Sequence, residues 1–156
     1  MTDCACLNLR WTGLAKFSSA YLRLALGISF LSAVADRFGL WGAYGRPNVA
    51  WGNFAGFVDY TAKLNWFLPA AMIPALAIIV TAAETLFGLL LLLGWKTRIT
   101  AVLSGVLLTT FALAMTMALG VKAPLDLSVF SAAGGALLLG ACADFPFSVD
   151  KLLRRA

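Results

Sequence analysis

Four apolar segments, separated by aromatic or basic stretches, dominate the 156-residue chain. The longest, residues 68–94, reads LPAAMIPALAIIVTAAETLFGLLLLLG and holds one ionisable residue, Glu84. At about 1.5 Å per helical residue it exceeds the ~20 residues that cross a ~30 Å hydrocarbon core. It reads as a membrane span, and segments at about 17–35, 99–119 and 127–143 complete a set of four. The expected fold is all-α: an integral membrane four-helix antiparallel bundle, forming a single transmembrane domain over residues 1–156. Gly94, Trp95, Lys96, Thr97 and Arg98 leave room only for a tight turn, which makes spans two and three antiparallel neighbours. Pro69 suits the first turn of span two, and Pro74 is expected to bend its outer half.

The connection over 36–67 is far longer than the ~2–8 residues typical between bundle helices. Within it, Trp51, Phe54, Val58, Thr61 and Leu64 recur every three or four residues. That spacing predicts an amphipathic helix over 51–64 lying along the membrane interface, with Asp59 and Lys63 on its wet side. The aromatic residues read first as an interfacial belt, and secondarily as a lid over a ligand. Span four is rich in small residues. Ser131 with Gly135, and Ala136 with Gly140, predict close helix contact, within the bundle rather than between copies. Asp126 is placed to cap its start.

Composition agrees with the pattern. The chain is 62% hydrophobic and 12% charged, against roughly 45–50% and 25% in soluble domains. The net charge of +5 does not point to nucleic acid, because the basic residues sit between spans rather than along one face. Arg10, Lys16, Arg23, Lys96, Arg98, Lys151, Arg154 and Arg155 fall at one end of this topology, and Arg37, Arg46, Lys63 and Lys122 at the other. By the positive-inside rule both termini are expected in the cytoplasm and 36–67 forms an outer loop.

The chain has no histidine. That removes histidine-ligated haem, most zinc and copper sites, and the usual near-neutral proton carrier. Cys4, Cys6 and Cys142 give weak support for a metal site, and their cytoplasmic side disfavours a structural disulfide. No metal centre is expected.

An acid inside a span costs about 2.5–3.5 kcal/mol on insertion scales, so Glu84 should face protein or water. Arg23, in the first half of span one, either snorkels to the headgroups or meets Glu84. The pair is expected to face one interior, as a structural bridge or as a proton or ligand site. Gly88 lies one turn from Glu84 on the same face and would open space beside it. A second polar set, Asp36, Arg37, Lys122 and Asp126, gathers at the outer surface.

The order Arg23 and Gly27 in span one, Asp36-Arg37-Phe38 after it, Glu84, Gly88 and Gly94 in span two, then Arg98, resembles the DoxX family of four-span bacterial membrane proteins. The resemblance covers about residues 22–140. It implies an inner-membrane protein associated with redox systems, one relative occurring in a thiosulfate:quinone oxidoreductase, and it points to Arg23, Arg37, Glu84 and Arg98. Two functional classes follow. One is a redox subunit binding a quinone near Glu84, with Glu84 and Arg23 as catalytic candidates and Gly88, Arg37 and Asp126 as ligand-binding candidates. The other is a noncatalytic scaffold or assembly partner whose buried charges set helix register. Expected partners are the lipid bilayer and a redox protein or a second copy of the chain, and enzyme status stays open.

Overall fold

The computed structural model describes residues 13–142 and 144–153. Its elements, in chain order, are α1 (Gly13–Arg37), α2 (Phe54–Leu64), a 3₁₀ turn (Ala70–Met72), α3 (Ile73–Leu93), α4 (Thr97–Leu119), α5 (Lys122–Asp126), α6 (Val129–Ala141) and α7 (Val149–Leu153). There is no strand among the described residues. α1 packs mainly on α3 and α4 on α6, while lesser contacts of α1 with α6 and α3 with α4 close the four rods into an antiparallel bundle. The end carrying residues 38–72 is called here the loop end, and the end carrying α7 the tail end.

α1, the segment Ala70–Leu93 and α4 are each long and apolar enough to cross a membrane. Their outward faces carry Ile78, Ile79, Leu86 and Leu89 on α3 and Val102, Leu103, Val106 and Met117 on α4, all exposed. An apolar exterior of this extent suits hydrocarbon rather than water. α6 has 13 residues, about 20 Å of helix. It is shorter than the expected 127–143 because α5 and a left-handed Ser128 (φ 55°) take up the chain before it. Asp126 therefore ends α5 rather than capping span four, and its carboxylate meets Lys122 one turn back in an exposed ion pair.

Pro74 does not bend α3. It stands in the first turn of the α-helix, where its missing N–H costs no intrahelical bond. The buried positions of α3 are Ile73, Ala77, Thr81, Glu84, Gly88 and Leu91, steps of three or four that form one inward seam. In span four Ala133, Ala136 and Gly140 are buried, and a Cβ at Gly140 would meet Val102 of α4 at 2.6 Å. Ser131 is exposed, so of the two expected small-residue pairs only Ala136 with Gly140 serves this contact. The expected amphipathic helix is present as α2, over Phe54–Leu64 rather than 51–64, because the Asn53 side chain caps it by accepting from Gly56 N–H at 2.8 Å and leaves Trp51 before its start. Thr61 and Leu64 face inward as the spacing predicts, with Phe57 buried in place of Val58, while Asp59 and Lys63 are exposed.

The α3–α4 turn is held twice. Gly94 adopts φ 69° and its N–H caps the end of α3, a conformation that disfavours any side chain. A Cβ there would also lie 2.4 Å from Ser148. From the tail, Asp150 accepts the N–H groups of Lys96 and Thr97 at 2.8 and 2.7 Å. The carboxylate thus satisfies donors at the start of α4 that the short turn leaves free.

Candidate functional site

α1 and α3 cross at their glycines. A Cβ on Gly27 would stand 3.0 Å from the Gly88 carbonyl oxygen, and one on Gly88 would stand 3.2 Å from that of Gly27 and 2.9 Å from Leu31. This crossing sets the level of every other group. Glu84 lies one turn from it toward the loop end, and Arg23 one turn from it toward the tail end, so their Cα atoms differ by about 12 Å along the bundle. Side chains on a helix lean toward its N-terminus. In this antiparallel pair Glu84 therefore leans to the loop end and Arg23 to the tail end, away from each other. The expected Arg23–Glu84 contact is not formed.

Glu84 instead pairs with Arg37, the last residue of α1, whose side chain leans back into the bundle to reach it. Both residues are buried, at 2% exposure for Arg37 and 3% for Glu84. Arg37 Nη1 also donates to Thr81 Oγ1 at 2.8 Å, and the Thr81 hydroxyl donates in turn to the Ala77 carbonyl at 2.8 Å. On the remaining sides are aromatic faces. The guanidinium carbon lies 3.6 Å from the centre of the Phe57 ring and 5.1 Å from that of Trp51, within the range of cation–π attraction. A planar cation that can face rings while donating from its edge suits this position better than lysine would.

Asp36, the preceding residue, builds the same cap from the other side. Its Oδ2 accepts from Ala50 N–H at 2.8 Å and Trp51 N–H at 3.4 Å, and its Oδ1 from Gly52 N–H at 3.1 Å. One carboxylate thus fixes the backbone that carries Trp51, and Trp51 covers the neighbouring arginine. Beyond it, the Tyr60 ring centre lies 5.9 Å from that of Trp51, and burial pushes the Tyr60 phenol above its ordinary value.

At the tail end Arg23 serves carbonyls. Nη1 donates to Leu91 O at 2.6 Å and Leu92 O at 2.9 Å, and Nη2 to Phe147 O at 2.7 Å. A cation at the C-terminus of α3 answers both the free carbonyls and the helix dipole, and it ties the tail to the bundle. Arg98 acts similarly at the end of α6, donating from Nη2 to Cys142 O at 3.0 Å.

Of the candidate site residues, the structure brings together Glu84 and Arg37. Arg23 and Asp126 lie apart from them, and the face of Gly88 is filled by Gly27 and Leu31 rather than left as space. Among the described residues, one surface groove lies at the tail end and another near Ser32, Asp36 and Trp41; Glu84 lines neither. Cys4 and Cys6 lie outside the described residues. Trp51, Phe57 and Thr81 were not singled out as site residues from the sequence, although Thr81 shares the face of Glu84 at a spacing of three.

Three long apolar helices, a short fourth and a buried ion pair define a multi-pass helical membrane protein. The family model described as "Methylamine utilisation protein MauE" matches residues 15–126, most of the chain, and the protein belongs to that family. The DoxX expectation thus holds only at the level of the class, a multi-pass membrane family. No curated protein and no solved structure matches the chain.

Proposed function

We propose that this protein serves methylamine utilisation as a membrane-embedded accessory subunit, and that Glu84 is the structural counter-ion of Arg37 rather than a proton carrier. The family description supplies the process. The observation that carries the role is the enclosure of Arg37 by the chain's own Glu84, Thr81, Trp51 and Phe57. With both charges engaged, the pair holds the loop-end cap against the spans, and the cap is the surface offered to a redox partner. In this reading the chain lies in the cytoplasmic membrane with its basic tail end inside.

A second reading, a redox subunit with a quinone beside Glu84, is favoured by one observation, a carboxylate held within an apolar span. It requires the contact with Arg37 to open. One experiment separates the two: growth on methylamine of a strain carrying Glu84→Gln, Arg37→Gln or both, with the folded protein in membranes quantified alongside. The accessory reading expects growth to follow the amount of folded protein, so that the double variant does better than either single one. A double variant that accumulates to the wild-type level and yet fails to support growth would contradict it in favour of a proton-handling Glu84.

A further inference from the structure

The tail-end groove has a volume of about 770 Å³ and runs between the first turns of α1, the last turn of α3 and the tail. Phe17, Ala20, Leu93, Phe147 and Leu152 make it mostly apolar, while Lys16 and Lys151 also line it. Its shape is set by groups already described. Arg23 holds the Phe147 carbonyl, and the buried Ser148 hydroxyl donates to Phe145 O at 2.5 Å. These bonds keep the wall formed by residues 146–149 in place.

Its charge is one-sided. Lys16 has no ion pair among the described residues. Lys151 Nζ lies 3.2 Å from Asp144 Oδ2 with both side chains partly exposed, and an ammonium with three donors keeps capacity for a further acceptor. The neighbouring carboxylate of Asp150 is turned to the start of α4. The groove also extends from the end of α3 along the first two turns of α1, which run on past it, a level that suits the boundary between headgroups and acyl chains around a membrane bundle. Phe147 is 86% exposed there, a position that is costly in water and favourable for an aromatic ring at an interface.

We propose that this groove is a binding site for an anionic phospholipid. Its phosphate is held by Lys16 and Lys151, and an acyl chain runs along Phe17, Ala20 and Leu93 toward the bilayer interior. A soluble anion would use the lysines and leave the apolar lining wet; a zwitterionic lipid would use the lining and gain little from the lysines. Only an anionic lipid uses both, and the site is independent of whether Glu84 is structural or catalytic.

The test is native mass spectrometry of the full-length protein in detergent, titrated separately with dioleoyl phosphatidylglycerol and dioleoyl phosphatidylcholine. The expected result is one retained phosphatidylglycerol bound several-fold more tightly than phosphatidylcholine. Lys16→Gln and Lys151→Gln should each weaken it about fivefold, from the ~1 kcal/mol a basic residue contributes near anionic lipid. Lys122→Gln, an exposed lysine at the loop end, should leave it unchanged. Both tail-end lysines are at least partly exposed, so an unshifted thermal midpoint in the variants will show the fold intact. Equal retention of the two lipids, an equal loss in Lys122→Gln, displacement by millimolar inorganic phosphate, or no retained lipid would each overturn the proposal. The last result would mean that chain or partner fills the groove.

Discussion

At the loop end, Arg37 meets a carboxylate across a dry helix interface, with two aromatic rings over its faces. At the tail end, Arg23 meets three backbone carbonyls at the close of a neighbouring helix. The two arginines lie on one helix and both are 2% exposed, yet they depend on different partners. Arg23 fills a vacancy that every helix C-terminus offers, and its loss leaves neutral carbonyls rather than a stranded charge. Arg37 is matched to a single charge that water cannot reach. Burial alone is therefore a poor guide to what an intramembrane charge does; the charge state of its partner decides how much depends on it.

The largest effect should follow from breaking the loop-end pair. Glu84→Gln or Arg37→Gln alone should lower stability by about 3–5 kcal/mol, because each strands a buried charge. Limited proteolysis should then cut the 38–53 segment well before the spans. Arg23→Gln should cost less, about 2–3 kcal/mol, the scale of losing hydrogen bonds from a charged donor. Its early sign should be release of the 144–153 tail, read by hydrogen exchange, with the loop end unaffected. Protection lost at both ends together would erase the contrast. Smallest is Asp150→Ala, which removes a cap donated from another segment and should cost about 1 kcal/mol, seen as faster amide exchange at Lys96 and Thr97 only.

Much of this arrangement was legible in the sequence. Apolar length located the spans, the Gly94 turn made α3 and α4 neighbours, and three- and four-residue spacing found α2. Glu84 stood out because nothing else in its span ionises. Its partner is harder to read, because a depth counted from the helix ends assumes that those ends are level. They are not: Gly27 packs on Gly88, which places the start of α1 roughly nine residues, or about 13 Å, beyond the end of α3. The lean of side chains toward the helix N-terminus, known without any structure, already turns Glu84 and Arg23 apart. What pattern alone could not supply was the path of residues 38–53. Trp51 reaches Arg37 only because Asp36 gathers three successive amides, and such a turn has no periodic signature. Asp126 failed for a similar reason, since the break between α5 and α6 depends on a left-handed serine.

The loop-end cap depends on Glu84 belonging to Arg37 and not to Arg23. Two double-mutant cycles on the purified protein, Glu84→Gln with Arg37→Gln and Glu84→Gln with Arg23→Gln, measure this directly through unfolding free energies in micelles. The Arg37 cycle should show a coupling of at least about 2 kcal/mol, the double variant being less damaged than the sum of the singles. The Arg23 cycle should be additive within about 0.5 kcal/mol, as for sites that share no partner. Additivity in the first cycle, or strong coupling in the second, would contradict the assignment of the buried pair.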